Sequence, residues 1–269
     1  MRIYYCPALL TLALALGACS GPQEAMSVEV PVRTDPSMIS ETSTDLGYSV
    51  QLDEARVMIE NLEFVYAGEH HHVASWWHRA SELVVPTAYA HPGHGNAGDV
   101  TGELRGRFEL DWLAAESAPE WMATLLVGSY ATANFVFTRA NEADGILPDD
   151  PLLGHTAMFR GTARRDSSVV EFSIFVDAPE GQPLVGASFE QAVDESSTEP
   201  LGVRLLTVDE RNDSGLFDGL DFQALDEDED GQLSIVPDSL DASVTAAHNR
   251  VLRELQAHGH FEVVTTRGD

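Results

Sequence analysis

"VTGELRGRFELDW", residues 100–112, alternates from end to end. Val100, Gly102, Leu104, Gly106, Phe108, Leu110 and Trp112 fall on one side of an extended chain. Glu103, Arg105, Arg107, Glu109 and Asp111 fall on the other. Successive side chains of a strand point to opposite faces, so this pattern describes a strand with one face in a core and one in water.

Working outward, "YSVQLDEARVMIENLEFVY" (48–66) alternates in stretches, through Val57, Ile59 and Leu62 and then Phe64 and Tyr66. It predicts two strands, or one bent strand with a bulge. Downstream, "ATLLVGSY", "ATANFVFTRA", "HTAMFRGTARR", "SVVEFSIFVD" and "LGVRLLTVDE" are short and rich in β-branched and aromatic residues. "ADGILPDDP" and "APEGQP" punctuate them, and "HFEVVTT" predicts a final strand. One helix is expected near the C-terminus. Asp238 or Ser239 would cap it, Val244, Ala247, Val251, Leu252 and Leu255 would share a face, and Gly259 would stop it. The expected fold is therefore mainly β, a β-sandwich or barrel-like arrangement of several short antiparallel strands with one C-terminal amphipathic helix.

The N-terminus sets a compartment. A single Arg2 precedes an apolar run from Ala8 to Leu16, then Leu16-Gly17-Ala18-Cys19. The run is too short to span a bilayer and reads as a secretory signal. Its ending resembles the bacterial lipobox, in which the cysteine becomes the lipidated first residue. The expectation is a signal peptide over 1–18, lipid on Cys19, and a flexible Ser/Thr/Pro/Glu-rich tether over 19–46. A single β-rich domain over 47–269 would follow. Ser20 after the cysteine points to the outer membrane of a Gram-negative bacterium, on its periplasmic or surface side. Cys6 would leave with the signal, so no disulfide is expected, and stability must come from core burial and bound metal.

The net charge is −29, from fifteen basic and forty-four acidic residues, and every basic one is Arg. Such a field repels nucleic acid and anionic headgroups and attracts cations.

Six of the ten histidines, His70, His71, His72, His78, His91 and His94, fall in the His-rich region 68–98. "HHH" at 70–72 and "HPGH" at 91–94 sit in loop-like sequence, with Glu69 and Glu82 as further oxygen donors. Imidazole is the common borderline ligand for copper and zinc, so these six are the candidate transition-metal ligands. His155 and His248 are expected to be structural.

A second constellation is "LDEDEDGQLSI", within the acidic segment 226–238. Asp226, Asp228 and Asp230 alternate, Gly231 permits the turn, Gln232 offers its carbonyl, Leu233 is an apolar anchor, and Ser234 stands where a ligand often acts through water. This matches the first nine positions of an EF-hand loop and predicts one Ca²⁺. Pro237 occupies the place of the bidentate Glu, with Asp238 one residue late. The sequence contains no H-E-x-x-H, G-x-S-x-G, P-loop, strand-associated G-x-G-x-x-G or retained thiol nucleophile, so no enzyme is predicted.

The "AYAHPGHG…GDVTGEL" stretch, after a strand and a His-rich loop, resembles a group of bacterial lipoproteins carrying AHPGHG. The layout is also similar to the MbnP-like periplasmic copper-binding family. That resemblance implies a β-sandwich, copper held by histidine, a tryptophan open to oxidation (Trp76 or Trp77 here) and a dihaem cytochrome partner. Two functions are expected from these readings. One is a lipid-anchored protein that binds copper or zinc for handling or delivery to a periplasmic redox or metal-transport partner. The other is a calcium-stabilised β-sandwich interaction module with no transition-metal role.

Overall fold

The computed structural model describes residues 26–67, 100–114 and 119–266. The strands are β1 (Ser27–Thr34), β2 (Thr42–Ser43), β3 (Ser49–Tyr66), β4 (Val100–Asp111), β5 (Trp121–Leu126), β6 (Gly128–Phe137) and β7 (Ala157–Arg165). They continue with β8 (Ser168–Val176), β9 (Pro183–Val193), β10 (Leu201–Leu205), β11 (Val208–Asp209), β12 (Ser214–Gly215), β13 (Gln232–Ile235) and β14 (Phe261–Thr265). Two α-helices, α1 (Phe222–Leu225) and α2 (Ala242–Leu255), fall late in the chain. The fold is mainly β and sandwich-like, as the alternation predicts.

Within the stretch 48–66, Ser49–Tyr66 forms one strand, β3, and bulges keep it continuous. Its core-facing residues are Val50 and Leu52, then Ala55, Val57 and Ile59, then Leu62 and Phe64. The spacing slips by one residue twice. Each slip coincides with a register shift, between Leu52 and Glu54 against β7 and between Glu60 and Leu62 against β4. Asn61, at φ 54°, is the extra residue of the second. An added residue would turn every later side chain to the wrong face, and the bulge restores the parity while bending the strand. Gly161 of β7 lies opposite the first slip, where a Cβ would stand 2.1 Å from the Gln51 carbonyl oxygen.

The bends let β3 serve two parts of the sheet. One side pairs with β4, while the other pairs with β7 through the first half and β6 through the second. The order β3-β4-β5-β1-β10-β14-β9-β6 therefore returns to β3, and β7-β8-β13 extends from its first half. Most pairings are antiparallel, but β1–β10, β13–β8 and β14–β9 are parallel. Among the described residues, Met58, Ala140, Ile146, Leu152 and Met158 form a small apolar cluster, and a large hydrophobic core holds Phe64, Phe137, Phe159, Phe189 and Phe261 almost wholly buried. Trp112 crosses it and donates its indole N–H to the Val203 carbonyl at 2.8 Å.

Several boundaries differ from the sequence expectation. The tether, expected to run to residue 46, gives way to the sheet at Ser27. Val30 and Val32 of β1 are buried between β5 and β10. Pro31 is tolerated because pairing with β10 starts only at Val32, so its missing N–H breaks no rung there. The helix cap is Asp241, whose carboxylate accepts from Ser243 N at 2.6 Å and Val244 N at 3.2 Å. Asp238 and Ser239 lie before it. The helix ends at Leu255, short of Gly259. Gly259 is small for another reason: a Cβ there would fall 1.9 Å from the Asp209 carboxylate.

Candidate metal site

Three carboxylates converge where α1 runs out. The oxygens that Asp226, Asp228 and Asp230 offer all lie within 4.8 Å of one another. Two ligands at roughly 2.4 Å from one Ca²⁺ are at most about 4.8 Å apart, so the three carboxylates are close enough for one ion to reach all of them. Among the described residues, no other His, Cys, Asp or Glu group meets the same test.

The loop is built from local chemistry. Asp221 caps α1, accepting from Ala224 N at 3.3 Å, and Asp226 N closes the turn onto the Phe222 carbonyl. Across the loop, Asp226 Oδ2 accepts from Gly231 N at 2.9 Å, and Asp230 Oδ1 accepts from Gln232 N at 2.7 Å. Glu229 and Gly231 both take positive φ, 54° and 79°, which folds the three aspartates toward one point. The Gly231 carbonyl then accepts from Glu171 N, and the chain enters β13 beside β8. Leu233 and Ile235 of β13 are buried, so the apolar anchor predicted at Leu233 holds the loop to the core. Successive peptide groups of a strand face opposite sides, which directs the Gln232 carbonyl away from β8.

The electrostatic imbalance lies at Asp226. It is only 7 % exposed, and its Oδ1 is buried with no hydrogen-bond partner. A buried acceptor left unpaired costs about 1–3 kcal/mol, more when charged, and two further carboxylates nearby add repulsion. Asp228 and Asp230 are exposed.

Support comes from a cluster that no sequence pattern announces. Asp221 Oδ1 accepts from the Tyr48 hydroxyl at 2.5 Å and from Arg165 at 3.1 Å. The Arg165 guanidinium also sits 4.1 Å above the Tyr48 ring, and Tyr48 O accepts from Gln223 N at 3.0 Å. The Tyr48 hydrogen bond, with Arg165 beside it, holds the Asp221 carboxyl below the usual range. Burial and the facing Asp221 carboxylate raise the Tyr48 hydroxyl. These residues come from the residue before β3, from β7 and from the start of α1, up to 175 positions apart.

Of the other predicted ligands, Ser234 is exposed on β13 and Asp238 is exposed in the turn after it, outside the carboxylate cluster. Gln232 is exposed and its side chain donates to Glu171 at 3.0 Å. The six candidate histidines His70, His71, His72, His78, His91 and His94 lie outside the described residues, as do Glu69, Trp76, Trp77, Glu82 and Cys19. His155 and His248 have structural partners: His155 Nδ1 meets Asp177 at 2.8 Å, and His248 Nε2 accepts from Asp177 N at 3.4 Å. His260, whose flanking Gly259 suggests an exposed turn, is fully buried, with Nδ1 on the Leu206 carbonyl. No protein-family model, curated protein or solved structure matches the chain.

Proposed function

We propose that this chain is an exported protein, lipid-anchored at Cys19, whose β-sandwich carries one Ca²⁺ in the loop 226–234. The observation that supports it is Asp226 Oδ1, a buried acceptor without a partner beside two converging carboxylates. Asp226, Asp228, Asp230 and the Gln232 carbonyl are the protein ligands, with water in place of the absent bidentate Glu. Such a site belongs to the weak, extracellular range of roughly 10⁻⁴ to 10⁻³ M. Its ion neutralises the loop and ties α1, β13 and α2 together, so the protein serves as a calcium-stabilised interaction module. The test is calorimetric titration of the chelator-stripped protein with Ca²⁺. One site of submillimolar to millimolar affinity, absent in Asp228→Ala, is expected. Equal heats for wild type and variant would place any ion elsewhere on this acidic surface.

A second reading rests on a different observation, the concentration of six of ten histidines between residues 70 and 94. In it the same scaffold carries copper or zinc for handling or delivery. Stoichiometric uptake of Cu(II) or Zn(II), lost in His91→Ala/His94→Ala or in the triple His70, His71, His72→Ala variant, is the expected result. Failure to bind either metal at micromolar levels would leave the calcium reading alone.

A further inference from the structure

A short 3-10 turn, His258–His260, joins α2 to β14, and its last side chain is wholly buried. His260 Nδ1 lies 2.8 Å from the carbonyl oxygen of Leu206, the residue after β10. A carbonyl only accepts, so Nδ1 carries a proton. The other nitrogen is left in question. Nε2 is buried without a hydrogen-bond partner, and Glu254 Oε2, from the last turn of α2, lies 3.7 Å away. A second carboxylate reaches the same turn from β11. Asp209 is 1 % exposed and stands 1.9 Å from where a Gly259 Cβ would be. It accepts from Arg211 N at 2.9 Å and Asn212 Nδ2 at 2.6 Å, as a carboxylate anion does. The backbone joins in, because Leu206 N donates to the His260 carbonyl at 2.9 Å. The ring thus sits where the end of α2, the end of β10 and β11 come together.

A neutral ring, with its one proton on Nδ1, turns the Nε2 lone pair toward a carboxylate in a buried site. Two acceptors then face each other and neither is satisfied. The imidazolium has no such conflict: one N–H donates to Leu206 and the other faces Glu254. We propose that a proton on His260 Nε2 latches the last turn of α2 to the sheet, and that the latch loosens as pH rises and the proton leaves. Burial of the ring acts against the charge, since an imidazolium gives up its hydration there. Glu254 and Asp209 act for it from two different elements, and a chain of net charge −29 favours a cation in the same sense. The Glu254 side chain is a quarter exposed, which gives the proton a way out. The folded chain holds a proton that the unfolded chain releases at the same pH, so this contribution to stability is lost as pH rises. Asp144 and Asp150 act in the opposite direction and at acid pH, so the two dependences are separable.

The test reads the proton directly. The full chain, with ¹⁵N-labelled histidine and in chelator, is titrated from about pH 5 to about pH 9 by NMR, where ring ¹⁵N shifts report which nitrogens are protonated. His260 should carry both protons at the acid end and lose the one on Nε2 on the way up. Its proton affinity should be at least about tenfold above that of the same ring in Glu254→Gln, because a facing charge at this distance is removed. The Gln amide also donates to the lone pair, so the neutral ring is satisfied in that variant. Amide hydrogen exchange in the last turn of α2, corrected for the intrinsic effect of pH, should rise about tenfold over the titration in wild type and stay flat in Glu254→Gln. Nε2 unprotonated at every pH in wild type overturns the proposal, whether or not the variant folds. Equal proton affinity in the two proteins overturns it too, as does an equal change in exchange.

Discussion

Replacing Asp226 by Asn should reverse its effect on stability when calcium is added. In the ion-free protein Asp226 Oδ2 accepts from Gly231 N at 2.9 Å, while Oδ1 is buried and unpaired among carboxylates. In Asp226→Asn the amide oxygen keeps the Gly231 bond, and the amide N–H₂ takes the Oδ1 position. A donor then faces Asp228 and Asp230 where an acceptor stood. Relief of one unpaired buried acceptor is worth about 1–3 kcal/mol, and removing a like charge adds in the same direction. For a domain of this size roughly 1 kcal/mol moves the midpoint by about 2–4 °C. In chelator, Asp226→Asn should therefore melt about 2–12 °C above wild type. With calcium the order inverts. At a free concentration of about 100 times Kd, wild type gains about 2.7 kcal/mol by mass action, and a variant lacking the best-buried ligand gains little. Melting curves of both proteins, in chelator and in Ca²⁺ at about 100 times the Kd found by titration, give all four numbers. A variant less stable than wild type in chelator would refute the orphaned-acceptor argument. Equal calcium shifts would refute the assignment of Asp226 as a ligand.

Three other outcomes follow from the packing. Gly161→Ala should lose about 3 kcal/mol or more in urea unfolding, because the added methyl meets the Gln51 carbonyl at 2.1 Å and backbone bounds it; a loss below about 1 kcal/mol would show that the β3 bulge relaxes freely. Trp112→Phe removes one of two donors to the Val203 carbonyl, which keeps Asp35 N at 2.9 Å, and should lower stability by about 0.5–1.5 kcal/mol with little change in m-value. Asp150 is held below its ordinary pKa by its bidentate hydrogen bonds from Arg56, and Asp144 by those from Arg107. A depressed carboxylate contributes stability that is complete above the unfolded pKa, near 3.8, and is lost as pH falls through the lower folded value. Stability against pH should therefore fall in that acidic window, and Asp150→Asn should flatten the fall while lowering stability at neutral pH, since it leaves the largely buried Arg56 side chain short of a charge partner.

The strands at 100–112 and 48–66 are legible in sequence because a half-buried strand repeats every two residues whatever lies beside it. The convergence of the carboxylates of 226, 228 and 230 is legible for a similar reason: alternate positions followed by a glycine turn keep them close in the chain. Leu233 follows as the apolar anchor. Strand β1 is harder to read. Val28, Val30 and Val32 do alternate, but Pro31 and the surrounding Ser, Glu and Thr give the segment the composition of a linker, and only the gap between β5 and β10 makes it a strand. The cap of α2 belongs to Asp241 for a geometric reason, since three nearby residues offer a capping oxygen and only that one reaches Ser243 N and Val244 N. The return of the sheet to β3 through β6, the Tyr48–Asp221–Arg165 support and the burial of Asp226 Oδ1 arise from contacts between residues far apart in the chain. A local pattern records which face a residue turns and how donors are spaced. It carries no record of which distant strand covers that face, and that covering leaves one oxygen of Asp226 buried without a protein partner.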